Sequence, residues 1–224
     1  MTAALKPALQ HSYRLSAFER RDHDFYPTPA DLVASLPVGL ARLGLELPRV
    51  ALDPCGGGAL RRGLTPFGID GRLSDLYPER YPEADGYATS QPLDAAEPRE
   101  LRHAFELTGS DCTAIITNTP HNTVRACAIV RNLIALVEGQ HVEFIAVRSG
   151  PSEAQSQDDC PFSIGRHSTA KSFAAGVLGG LRGPKESDAH AYAWYVWRKI
   201  PRRGPSLKVR VGRHETIAAL SAVC

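Results

Sequence analysis

Residues 114–122, AIITNTPHN, read as a short apolar strand that stops at a polar turn carrying a proline. Two stretches upstream complete a pattern with it. Leu52-Asp53-Pro54-Cys55-Gly56-Gly57-Gly58 puts a glycine-rich loop directly after a strand, and residues 73–78, LSDLYP, put an acid at the end of the next one. A glycine loop, an acid and a polar turn, each at the carboxyl end of a strand, make the arrangement with which a doubly wound sheet binds nucleotide-like ligands. The stretches predict an α/β chain with a mostly parallel central sheet.

On either side of these stretches, further elements are legible. Thr28 suits a helix N-cap and Pro29 the first helical position, so a helix begins there. Residues 49–53 form a brief strand, 59–64 a helical turn, and 68–75 the next strand region. Residues 78–98 are proline-bearing and polar and read as loop. Helical spacing returns over 98–107, a buried-type strand over 113–117, and a clear helix over 123–138, followed by a strand over 141–147. Residues 150–190, rich in Gly, Ser and Pro, resist assignment. Residues 192–198 alternate as a strand and are read as an antiparallel C-terminal strand or hairpin of the sheet, with 208–212 placed beside them. Strands alternating with helices imply right-handed crossovers. The division is a 1–24 arm, a 25–213 domain and a 214–224 tail.

The bulk properties restrict the function. With 224 residues, 43% hydrophobic, the chain has ample material for one core. Its net charge of +2 excludes a polyanion binder acting over its whole surface. The charge is uneven, however. Positions 75–111 hold nine acids and three bases, whereas 182–213 hold nine Lys/Arg and two acids. A basic C-terminal segment with Arg198, Lys199, Arg202, Arg203 and Lys208 fits either a nucleic-acid footprint or a solvated surface. The five cysteines form no CxxC, and no His/Cys cluster has zinc spacing, so reduced thiols and no metal are expected. The first residues lack a signal-peptide pattern and no run is long enough to span a membrane. The expectation is a cytoplasmic protein with no membrane partner.

Individual residues then divide between chemistry and structure. Gly56 and Gly58, with Asp53 and Pro54 before them, let the backbone approach a ligand, or else make a structural turn. Asp75 can accept ribose hydroxyls, or open the Tyr77-Pro78 turn. Asp94 can receive an adenine amino group, or cap the helix after it. Asn118, with a backbone carbonyl beside it, can accept both hydrogens of an exocyclic amine, or cap an ordinary strand-to-helix loop. Trp194 and Trp197, three apart on a strand, face opposite ways, and one or both belong to the core. Cys55 reads as a small packing residue.

In this order FYPTP, LDPCGGG, SDLYP, QPLD and TNTPHN resemble the S-adenosylmethionine-dependent amino-methyltransferases, the phage- and prophage-type DNA N6-adenine methyltransferases in particular. The resemblance runs over residues 25–198 and includes a late Ala193-Trp194-Tyr195-Val196-Trp197 strand. It implies a Rossmann-like methyltransferase fold and S-adenosyl-L-methionine as cofactor. Tyr26, Thr28 and Pro29 would lie at the methionine end, with Asp53, Pro54, Gly56 and Gly58 as the loop. Asp75 would hold the ribose and Asp94 the adenine. Asn118, Pro120 and His121 would be the catalytic turn, acting on adenine in DNA. The chain departs from the family at that turn, where Asn-Pro-Pro-aromatic becomes Asn118-Thr119-Pro120-His121. An imidazole stacks on a base less extensively than a large ring. The departure leaves open a degenerate relative that binds cofactor or nucleic acid without turnover, and the same chemistry on RNA or protein.

Overall fold

The computed structural model describes residues 28, 30–81, 85–120, 123–139, 141–149, 176–179, 192–199, 208–211 and 213–223. Tyr26, Pro29, His121, Arg202 and Arg203 lie outside them. The architecture is α/β with a mixed, mostly parallel sheet. Strands β1 (Val50–Asp53), β2 (Asp70–Leu73), β3 (Ala114–Asn118) and β4 (Phe144–Ser149) are mutually parallel. They continue into β5 (Gly176–Gly179), β6 (Tyr192–Arg198) and β7 (Lys208–Val211), and the spatial order is β2-β1-β3-β4-β6-β5-β7. Strand β6 runs antiparallel to both β4 and β5, the direction expected for residues 192–198. Strand β7 does not lie beside β6. It pairs in parallel with β5, a strand inside the stretch that sequence could not assign.

The helices are α1 (Ala30–Arg42), α2 (Ala59–Leu64), α3 (Pro98–Leu107), α4 (Thr123–Glu138) and α5 (Arg213–Val223). Short 3-10 turns cover Thr65–Phe67 and Pro78–Arg80. Pleating sorts the strand residues into two cores. Leu52, Ile115, Ile145, Val147 and Trp197 face α3 and α4, which contribute Leu101, Ala104, Val130 and Leu133. Ala51, Ile116, Ala146, Trp194 and Val196 face α1 and α2, which contribute Val33, Leu36, Leu60 and Leu64. The central strands are apolar on both faces because helices cover both. Gly63 allows the close contact of α2 with α1: a Cβ there would come within 2.7 Å of Val33. Trp194 donates its indole N–H to Ser35 at 3.1 Å, tying α1 to β6. Helix α5 occupies the stretch read as a tail, and its Thr216 is buried and its Glu215 ion-paired to Arg42.

Cys55 and Cys112 are free thiols, but Cys127 is disulfide-bonded, so the expectation of reduced thiols fails at Cys127. No helix among the described residues is long and apolar enough to cross a membrane.

Candidate functional site

Strand β1 is where the sheet reverses its winding. The chain leaves β1 for β2 on one side, and β3 stands on the other. Loops from β1 and β3 therefore diverge and leave a crevice above their carboxyl ends. A cavity of about 250 Å³ opens there. Among the residues expected from sequence, Thr28, Asp53, Pro54, Asp75, Asn118 and Pro120 line it. Gly56, Gly58 and Asp94 do not.

Asp53 closes β1 and is buried at 5% exposure. The Thr117 hydroxyl donates to its Oδ1 at 2.8 Å, and the Cys55 N–H to the same oxygen at 3.2 Å. Burial nevertheless drives the carboxyl up to about 7. Those two donors favour the ionised form and oppose the rise, while the charge of Asp75 adds to it. Burial also pushes the Cys55 thiol up, with Asp53 and Asp75 adding to it, so Cys55 stays protonated and is no nucleophile.

Each glycine of the loop has its own reason. A Cβ at Gly56 would sit 2.9 Å from both Asp53 Oδ2 and Leu73 Cδ2, so the backbone must pass close to the acid. Gly58 has φ +82° at the start of α2, a left-handed conformation that disfavours a side chain. Only Gly57, between them, reaches the cavity wall. The structural and ligand-binding readings of this loop thus belong to different residues of it.

Asp75, just past β2, accepts the Tyr77 N–H on Oδ1 at 2.7 Å. The turn reading is correct, and it uses one carboxylate oxygen. No other hydrogen bond to that carboxylate forms among the described residues, so the second oxygen remains available to a ligand. Burial raises Asp75, opposed by the Tyr77 N–H and the Arg80 guanidinium. Arg80 lies 4.2 Å over the Tyr77 ring, and both line the cavity beside Tyr81, whose hydroxyl burial pushes up to about 12.

Asp94 does not take the helix-capping role that its sequence context offered, because α3 begins at Pro98 with Glu97 at its N-cap; it closes a turn ahead of the helix instead. Its Oδ1 accepts the Ala96 N–H at 2.7 Å and pairs with Arg125. Arg125, in the first turn of α4, itself lines the cavity, so Asp94 acts on the site only through its partner. Asn132 holds the same segment by donating to the Ala96 carbonyl at 2.8 Å, which fixes Leu93 and Ala95 against Ile129 as an apolar wall.

Asn118 ends β3. No hydrogen bond holds its side-chain amide among the described residues. Thr119 is 2% exposed, and its hydroxyl has no partner among the described residues. A free amide, two carboxylates and an apolar wall in one crevice can receive a planar, amine-bearing or hydroxylated ligand. Sequence reading missed Thr117, Tyr77, Arg80 and Arg125. Thr117 has one signal, its place one residue before the strand end that carries Asn118. The other three depend on packing between elements.

The basic residues stand elsewhere. Arg198 pairs with Phe144, the first residue of β4, whereas Asn118 pairs with Arg148. Four residues of rise, about 13 Å, separate the two levels. Strand β7, which begins at Lys208, is four strands from β3, about 19 Å. No cluster of three His, Cys, Asp or Glu residues suited to a metal occurs among the described residues. No protein-family model matches the sequence, and no curated protein matches it.

Proposed function

We propose that this protein transfers a methyl group from S-adenosyl-L-methionine to an exocyclic amino group, adenine in DNA foremost. The observation that carries the proposal is the convergence of Asp53, Asp75 and the Asn118-Thr119-Pro120 turn, 65 residues apart in sequence between Asp53 and Asn118, on one crevice at the sheet's switch point. The antiparallel β6 inserted into a parallel sheet supports the methyltransferase form of the Rossmann-like fold.

The donor set fits such a cofactor. The unused oxygen of Asp75 accepts from ribose hydroxyls. Leu93, Ala95 and Ile129 pack against a planar base. Asp53, once ionised, favours positive charge in a desolvated pocket. Held by Asp53, Asp75 and the apolar wall, S-adenosylmethionine would supply an electrophilic methyl on a sulfonium, its S–CH₃ bond breaking to leave the neutral thioether S-adenosylhomocysteine as the methyl passes to the amine and the amine proton to water. Asn118 holds the amine through its side-chain oxygen, an orienting role that requires no strong base. A base within a duplex has to leave the stack to reach this crevice. Phosphates neutralised by Arg198 and Lys199 would lie on a stretch of nucleic acid remote from the reacting base. The altered turn favours a second reading, a relative that binds cofactor without turnover.

Calorimetric titration with S-adenosylmethionine, followed by tritiated methyl transfer to unmethylated DNA, tests the proposal. Asp75→Ala should weaken cofactor binding by about 1–3 kcal/mol, because ribose donors lose their acceptor. Unchanged binding in that variant, or none in the wild type, overturns the cofactor assignment.

A further inference from the structure

Outside the strands of the parallel sheet, a short segment is built against the glycine loop. Tyr87 forms an isolated parallel bridge with Leu73 on the outer side of β2. The Leu73 N–H donates to the Gly86 carbonyl and the Ala88 N–H to the Leu73 carbonyl, both at 2.8 Å. Gly86 has φ +88°, and a Cβ on it would run into Nη1 of Arg61, so the tip of that side chain lies against this residue. Arg61 reaches Asp85 at 3.6 Å from α2, the helix that the glycine loop leads into. The segment is thus fixed to β2 and to α2 at once.

Its product is one hydrogen bond. The Tyr87 hydroxyl donates to the Gly56 carbonyl at 2.9 Å, across 31 residues of sequence. The Gly56 N–H donates to the Ser74 carbonyl at 3.2 Å, so Gly56 is held on both sides. A trans peptide points its N–H opposite to its C=O. Holding the Gly56 carbonyl toward Tyr87 therefore turns the Gly57 N–H away from Tyr87. Gly57 lines the cavity, Tyr87 does not, and no backbone hydrogen bond among the described residues uses the Gly57 N–H.

We propose that Tyr87 is a positioning residue for the cofactor loop: its hydroxyl sets the Gly56–Gly57 peptide so that the Gly57 N–H is presented to an acceptor on the bound S-adenosyl ligand. The inference rests on the cofactor reading above. Tyr87 itself touches no ligand.

Tyr87→Phe keeps the ring and removes only the hydroxyl. Titration with S-adenosylmethionine should give a Kd about fivefold weaker than wild type, the size of one net hydrogen bond. Turnover at saturating cofactor should not change, and neither should the KM for nucleic acid. Amide hydrogen exchange over residues 55–59 should quicken in the variant without ligand. Gly86→Ala, which keeps the hydroxyl but displaces its anchor against Arg61, should weaken the Kd in the same direction and decides the matter if Tyr87→Phe does not fold. A wild type that fails to bind overturns the function reading and this inference with it. A wild type that binds, with Tyr87→Phe or, failing that, Gly86→Ala equal to it in Kd, overturns this inference alone.

Discussion

Asp53→Asn puts the buried carboxyl of the crevice to a direct test. Raising this group from its ordinary 3.8 to about 7, at about 1.4 kcal/mol per pH unit, corresponds to about 4 kcal/mol of stability. The sign follows from the proton count. The folded state holds a proton that the unfolded chain has released, so the contribution is complete below the unfolded value of 3.8 and is lost as pH rises through about 7. Asparagine carries no such proton. Its amide oxygen can keep the Thr117 and Cys55 donors, both of which bond to Oδ1. Its NH₂ takes the place of Oδ2 without an acceptor, which costs about 1–3 kcal/mol. The variant should therefore be more stable than wild type by about 1–3 kcal/mol at pH 8, an advantage that vanishes toward pH 4.5. Urea denaturation of both proteins across this range gives the difference directly, and contributions from distant carboxyls cancel. A difference that stays flat across the range, or wild type more stable at pH 8, would be incompatible with a carboxyl that burial keeps protonated. The same substitution removes negative charge from the pocket wall, so the stabilised variant should bind a sulfonium ligand less well.

Thr119→Pro with His121→Tyr should raise turnover, because it removes an unpaired buried hydroxyl, stiffens the turn and enlarges the stacking face; unchanged or lower methyl transfer counts against the turn as drawn. Asn118→Ala should abolish methyl transfer and spare cofactor affinity, and equal activity in wild type and variant would remove Asn118 from the mechanism. Reversing Arg198 and Lys199 to Glu should flatten the dependence of nucleic-acid affinity on salt, by about 0.9 in the log–log slope for each phosphate no longer neutralised. It should leave turnover at saturating substrate unchanged, since the pair stands about 13 Å in strand rise from Asn118, beyond a Debye length of about 8 Å. A fall in turnover with no change in slope would mean that the two residues act on the site and not on phosphates.

Elements that carry their own periodicity or punctuation are legible in the chain alone. Helix α4 shows its apolar stripe, and α3 opens on Pro98. Strands β3 and β6 show runs and alternation that only a pleated, buried geometry explains. The places of Asp53 and Asn118 at strand ends are equally legible, because each ends a mostly apolar run, whereas β2 reads Asp70-Gly71-Arg72-Leu73 and Asp75 is legible only from its spacing after the glycine loop. What those ends face is a matter of tertiary packing. Strand order is set between segments far apart in the chain, so the pairing of β7 with β5 had no local signal. The division of labour among Gly56, Gly57 and Gly58 depends on Leu73 and Asp53 lying against the loop. The fate of Asp94 depends on Arg125, 31 residues away. Arg198 and Lys199, read as one basic segment by their spacing, lie at the far end of the sheet because β6 runs antiparallel. The rise in Asp53 is likewise tertiary, since two apolar cores and a closed loop must meet around a carboxyl before water is excluded from it.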